Sequence, residues 1–186
     1  MSAIRTFIAV EITQGIRSHI ERWIRSLQPK IRGVKWVEPH NLHVTLKFLG
    51  DVAAGDLPEI TDAVTQAAAL VDPFELEFFG SGAFPNAKAP RTLWIGCRDG
   101  ADHLSRLAVT IDVTLSQLGF PKESRQFSPH LTIGRAKQQI TDLTTLLAAR
   151  QSESFGKCRV TEVVLFSSNL TPSGPIYKKL AVLPLR

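Results

Sequence analysis

Two stretches of this 186-residue chain are near copies of each other, His43-Val44-Thr45-Leu46 and His130-Leu131-Thr132-Ile133, and 87 positions separate them. Shifting the chain by that same interval, without a gap, sets Phe78-Phe79-Gly80-Ser81 on Leu165-Phe166-Ser167-Ser168 and Pro85 on Pro172. Phe7-Ile8-Ala9-Val10 falls on Trp94-Ile95-Gly96-Cys97, and Ile20 and Ile24 fall on Leu107 and Ile111. Self-similarity at a fixed interval restricts a fold more than composition does, because both copies must build the same supersecondary unit.

The periodicity within each copy predicts that unit as strand, helix, motif strand, helix, strand. The first copy has a strand near 4–11 and a helix near 14–28, the latter carrying Ile16, Ile20, Trp23, Ile24 and Leu27 on one stripe. A motif strand comes next at 42–49. A helix near 57–71 opens with Asp56-Leu57-Pro58-Glu59, a capping-box arrangement with an early proline. Phe74, Leu76 and Phe78 then alternate with Glu75 and Glu77, as in a half-buried strand. The second copy predicts strand 92–98, helix 101–118, motif strand 130–135, helix 140–150 and strand 158–167, with a closing strand from Tyr177 to Leu183. Connections are short and nothing reads as a linker. The expected fold is α+β: one domain over 1–186 made of two lobes, with two mostly antiparallel sheets, helices outside and a cleft between the lobes.

Side chains alternate along a strand, so positions i and i+2 share a face. His43 with Thr45, and His130 with Thr132, each present an imidazole and a hydroxyl on one side, while Val44, Leu46, Leu131 and Ile133 anchor the other in a core. Histidine gives and takes protons near neutrality, with an unperturbed pKa of about 6.5. Two such groups beside two hydroxyls point to acid–base chemistry at a phosphate. Lys47 shares the parity of His43 and Thr45, and Arg135 closes the second motif strand, so either adds positive charge. A histidine in a strand is usually a packed or surface residue; two in equivalent positions of a repeat weigh against that reading. His19, His40 and His103 have no such support and are expected to be solvated or structural.

Composition narrows the classes further. Hydrophobic residues at 44% with charged residues at 21% describe a folded chain, not a disordered one. No apolar run approaches the roughly 20 residues of a membrane span, and the N-terminal stretch does not read as a signal peptide. Cys97 and Cys158 form no CxxC pair and no metal-spaced cluster, so both are expected to be reduced core thiols in a cytoplasmic protein. No metal-ligand spacing, nucleotide-binding glycine loop or serine elbow is present, and no cofactor is expected. A net charge of +5 favours a polyanionic partner. Lys30, Arg32 and Lys35 precede the first motif, while Lys122, Arg125, Arg135 and Lys137 bracket the second.

Around both motifs the chain resembles the RNA 2′,3′-cyclic phosphodiesterases, also called 2′-5′ RNA ligases, of the two-histidine phosphoesterase superfamily. The resemblance rests on Arg5-Thr6-Phe7-Ile8-Ala9, on Trp36-Val37-Glu38-Pro39-His40-Asn41-Leu42-His43-Val44-Thr45-Leu46-Lys47-Phe48-Leu49-Gly50, and on Phe127-Ser128-Pro129-His130-Leu131-Thr132-Ile133-Gly134-Arg135. It implies metal-free opening of a 2′,3′-cyclic phosphodiester to a 2′-phosphomonoester, with His43 as proton donor, His130 as proton acceptor, and Thr45 and Thr132 on the phosphate. It also implies a substrate contact for Arg135 and stacking of Phe48 and Arg135 on the terminal base, although strict alternation turns both away from the histidine face. The implied partner is RNA with a 2′,3′-cyclic end, tRNA-like fragments and small cyclic nucleotides included, acted on by a monomer. The competing readings are 2′-5′ ligation, the reverse reaction, and a non-catalytic RNA-binding module.

Overall fold

The structure is a computed structural model that describes residues 3–172 and 174–186. Its strands are β1 (Ala3–Glu11), β2 (Val34–Trp36), β3 (His43–Ala53), β4 (Phe74–Phe84), β5 (Thr92–Cys97), β6 (His130–Ala136), β7 (Ser154–Val160), β8 (Glu162–Thr171) and β9 (Gly174–Pro184). The helices are α1 (Gln14–Leu27), α2 (Leu57–Ala68), α3 (Ala101–Ser116) and the short α4 (Thr144–Ala148). A shift of 87 positions overlays β1, α1, β3, α2 and β4 on β5, α3, β6, α4 and β8.

All strand pairs are antiparallel, in two sheets ordered β3-β1-β8-β9 and β2-β6-β5-β4-β7. The repeats are therefore not the lobes. Each copy puts its first two strands in one sheet and its last strand in the other, so β8 lies against β1 and β4 against β5. Helix α1 lays its buried stripe on the second sheet, with Trp23 against Phe155 at a ring separation of 5.2 Å. Helices α2 and α3 pack on each other. One hydrophobic cluster runs through both sheets and the helices, joining Ile8, Val10 and Val44 of the first sheet to Leu131, Ile133 and Ile95 of the second. Each such fully buried side chain contributes about 1.5–3 kcal/mol.

Several boundaries differ from the sequence expectation. The helix expected at 140–150 is only five residues long, because Ile140 and Leu143 reach the core from irregular backbone. The strand expected at 158–167 is two strands, β7 and β8, with a break at Thr161. Asp56 ends a 3-10 turn and makes no side-chain cap to α2, so proline in the first turn remains as the start signal. Strand β2 has no counterpart in the sequence expectation; it pairs with β6 through Val34↔Ala136, Lys35↔Arg135 and Trp36↔Gly134.

Gly134 is where β2 meets β6 most closely. A Cβ there would lie 2.7 Å from Val34 Cγ1 and 3.1 Å from Trp36 Cε3. Gly134→Ala is expected to lower stability by about 1–3 kcal/mol through overpacking, a fall in melting temperature of about 2–12 °C. Gly15→Ala in α1, where the added Cβ meets nothing within 4 Å, is the control and should hold or raise the midpoint in the same thermal scan.

Candidate active site

The site begins with an irregularity shared by both motif strands. Along β1, Ile8 pairs with Lys47 and Ala9 with Thr45, so Leu46 is an extra residue in β3. Along β5, Leu93 pairs with Gly134 and Trp94 with Thr132, so Ile133 is an extra residue in β6. Leu46 and Ile133 correspond under the 87-residue shift, and each β-bulge inverts the parity of the strand residues after it.

This corrects the sequence reading at three positions. Phe48 and Arg135 return to the face of the histidines, from which strict alternation had turned them away: Phe48 is 59% exposed and its ring stands 6.0 Å from Phe7. Lys47 turns the other way, into the core, where it is 3% exposed. Its Nζ donates to Asp112 Oδ1 of α3 at 2.5 Å and to the Pro121 carbonyl at 2.9 Å. Lys47 is thus no substrate contact. It ties the first motif strand to the loop that leads to His130.

Both imidazoles are anchored alike. His43 Nδ1 donates to the Asn41 carbonyl and His130 Nδ1 to the Ser128 carbonyl, each at 2.7 Å and each two residues back. A carbonyl only accepts, so Nδ1 carries the hydrogen in both rings, and the neutral imidazoles present Nε2 as an unprotonated base. His43 Nε2 lies 3.0 Å from Thr45 Oγ1. No such bond joins His130 Nε2 to Thr132. Asn41 is itself held, with its side chain donating to the Pro175 carbonyl at 3.0 Å and Arg17 of α1 donating to the Pro39 carbonyl in the same turn.

The surroundings of each ring are aromatic. Phe7 lies against His43 at 4.9 Å and against Phe166 at 5.2 Å, and Tyr177 meets His43 edge-on at 5.4 Å. Phe7, Ala9, Val164 and Phe166 form a small apolar cluster, separate from the main core, on this face of the first sheet. Across from it, Phe84 meets His130 edge-on at 5.0 Å and packs on Trp94 at 5.3 Å. Beside His43 lies a depression of about 240 Å³ whose lining includes Glu11, Asn41, Phe166, Tyr177 and Lys179. Sequence reasoning misses Phe7, Phe166, Phe84, Trp94 and Tyr177 as site residues, because apolar residues on both faces of a strand conceal which face is open.

Burial lowers the pKa of both histidines below the ordinary value of 6.5 and outweighs the opposing carbonyl hydrogen bonds. The Arg135 guanidinium lowers both as well, and it also opposes the burial that raises Tyr177. One cation therefore acts on groups of both sheets, and the motif strands β3 and β6 lie in contact. Strand β2 explains the meeting: Trp36 pairs with Gly134, the Val37 N–H donates to the Ile133 carbonyl at 2.9 Å, and the chain reaches His43 a few residues later. Among the described residues no three His, Cys, Asp or Glu side chains converge as metal ligands do, and no helix is long and apolar enough to cross a membrane. Outside the site, His19 pairs with Glu153 at 3.5 Å and His103 with Asp102 at 3.1 Å. His40 sits exposed in the 3-10 turn Pro39–Asn41. Cys158 is buried and Cys97 half-buried, both free thiols.

The family model of the 2′-5′ RNA ligase superfamily matches residues 16–171. The chain belongs to that superfamily. It is 40% identical over 179 residues to the RNA 2′,3′-cyclic phosphodiesterase of Archaeoglobus fulgidus, covering 96% of this chain and 99% of that one. Among solved structures it is similar to TT0787 of Thermus thermophilus (TM-score 0.81, 30% identity, 98% of each chain). It is also similar to E. coli LigT complexed with 3′-AMP (TM-score 0.78, 26% identity, 98% of each chain).

The charges lead to two expected outcomes. Arg135→Gln removes a cation that disfavours both imidazoliums, so the NMR titration midpoints of His43 and His130 should both rise toward 6.5; unchanged midpoints would contradict the shared cation. Lys47→Met leaves Asp112 without its cation and should cost about 3 kcal/mol, a fall of about 6–12 °C in melting temperature. Adding Asp112→Leu should recover part of that loss, since an apolar pair replaces a buried ionic one.

Proposed function

We propose that this protein hydrolyses RNA 2′,3′-cyclic phosphodiester ends to 2′-phosphomonoesters, without a metal ion, by general acid–base catalysis between His43 and His130. The observation that carries the reading is the matched pair of imidazoles, each anchored through Nδ1 with Nε2 left for chemistry, on equivalent strands around one arginine. The names of the relatives point to the same reaction.

In this mechanism neutral His130 takes a proton from water through Nε2 as the water oxygen bonds to phosphorus. The bond from phosphorus to O3′ breaks, and the Nε2–H of protonated His43 supplies the proton that O3′ needs. The product carries a 3′-hydroxyl and a 2′-phosphate, and the two histidines return to their starting states by exchange with solvent. The free Nε2 of His130 suits the base, and Thr45 beside His43 Nε2 accepts from its proton when the ring is charged. Thr45, Thr132 and Arg135 stabilise the non-bridging oxygens, where negative charge grows, and Phe48 offers its exposed ring to the terminal base. Each positioned acid or base supplies roughly 10²–10⁴-fold, which suits an ester already activated by ring strain.

The test is incubation of an RNA ending in a 2′,3′-cyclic phosphate with the protein in excess chelator. A 2′-phosphate end is expected, with kcat reduced at least about 100-fold in His43→Ala and in His130→Ala. A 3′-phosphate product would reverse the assignment of the leaving oxygen. Full activity in both variants would overturn the two-histidine mechanism, and no activity in the wild-type protein would leave a module that binds RNA without catalysing.

A further inference from the structure

The charge on this protein is unevenly neutralised. Lys179 is paired with Glu11, Arg98 with Glu77 at 2.7 Å, Lys157 with Asp99 at 2.8 Å, and Lys47 with Asp112. Lys35, Arg135 and Lys137 are exposed, and none has a carboxylate at ion-pair distance among the described residues. These three cations lie together. Lys35 of the edge strand β2 pairs directly with Arg135 of β6, and directly paired residues of antiparallel strands share a face. Lys137 donates its backbone N–H to the Gly33 carbonyl at 2.8 Å, so the strand pairing carries on past Ala136. By alternation Lys137 falls on the face of Arg135, while Ala136 and Val34 pack on the core.

We infer that the RNA chain upstream of the cyclic end leaves the reaction centre along β6 toward β2, its phosphates held by Lys35 and Lys137 beyond Arg135. The inference rests on the cyclic phosphodiesterase reading and adds a route, and with it a preference for oligonucleotides over cyclic mononucleotides. The line of cations starts at the catalytic face: His130 and Thr132 precede the bulge, and Arg135 and Lys137 come after it on the same side. Two strand residues advance about 6.6 Å, a stride that lets successive side chains reach successive phosphates. The rim on the first sheet offers Arg5 of β1, exposed and without a carboxylate at ion-pair distance among the described residues, but no line of such cations. Lys179 is neutralised by Glu11, and Lys178, paired in register with Ser167, alternates with Tyr177 and Lys179 and so lies off the histidine face. Rivals are Arg91, exposed just ahead of β5, and the loop before His130, with Lys122 and Arg125 exposed.

The experiment compares cyclic 2′,3′-CMP with a short RNA oligonucleotide ending in a 2′,3′-cyclic phosphate, for the wild-type protein, Lys35→Gln/Lys137→Gln, and Lys122→Gln/Arg125→Gln. The ratio of kcat/KM for the oligonucleotide to that for the mononucleotide should fall about tenfold in the first variant and hold in the second. Each cation–phosphate contact on a single strand contributes about 0.7 to the slope of log affinity against log salt. Binding of a fluorescent 2′-phosphate oligonucleotide, followed by anisotropy, should therefore lose about 1.4 of slope in Lys35→Gln/Lys137→Gln. An unchanged ratio and slope in that variant overturn the route, as does transfer of both effects to Lys122→Gln/Arg125→Gln. Failure of the wild-type protein to open the cyclic end of either substrate counts against the catalytic reading instead, and the anisotropy slopes then still decide the route.

Discussion

The centre of this protein depends on an extra residue at the equivalent position of each motif strand. Leu46 and Ile133 bulge out of register at equivalent positions, and both side chains stay in the core. Before the bulge, histidine and threonine face outward at i and i+2; after it, the residue at i+5 faces outward where a regular strand would have shown i+4. Phe48 and Arg135 thus join the histidine faces, and Lys47 and Gly134 take inward positions. The two copies use that inward position differently. In β3 it holds a lysine that reaches α3 and the loop ahead of His130; in β6 it holds a glycine that lets β2 close in.

Besides the pairing of β8 with β1 and of β4 with β5, those two inward residues link the motif strands of the copies. Lys47 carries the first motif strand to the Pro121 carbonyl, upstream of Ser128, whose carbonyl orients His130. Gly134 admits Trp36, and from Trp36 the backbone runs through the Pro39–Asn41 turn to the Asn41 carbonyl that orients His43. Each histidine is therefore oriented by a segment held by the opposite motif strand. A displacement between the sheets would disturb both tautomer-fixing hydrogen bonds, which accounts for catalytic geometry resting on two sheets tied strand to strand.

Much of this was legible in the chain. The repeated His-x-Thr pattern located both strands, and the 87-residue shift paired the correct elements, because both signals are local and survive without knowledge of partners. The faces of Phe48, Arg135 and Lys47 were not legible, since an extra residue leaves no mark in an alternating apolar pattern and shows only in the register of the neighbouring strand. Val34–Trp36 is too short to carry a period at all. Phe7 and Phe166 look like any core residue in the sequence, because a strand with apolar residues on both sides does not say which side lies open. The exchange of β4 and β8 between sheets was hidden for a further reason: the repeat defines the order of elements and is silent on which copy supplies a strand's neighbour.

Burial and Arg135 act in the same direction on both histidines, and each lowers the proton affinity of the two rings. A guanidinium and desolvation of the two imidazoles both disfavour the charged rings. An arriving phosphodiester brings the negative charge that offsets Arg135, and it raises the proton affinity of the ring nearest to it. Thr45 Oγ1 already stands at 3.0 Å from His43 Nε2, ready to accept from it once that nitrogen is protonated. His130 Nε2 makes no such hydrogen bond to Thr132, which suits the base of the proposed mechanism. On the proposed mechanism the substrate's own charge helps to create the acid that cleaves it, and the differing hydroxyl contacts of two nearly identical motifs favour His43 as donor and His130 as acceptor.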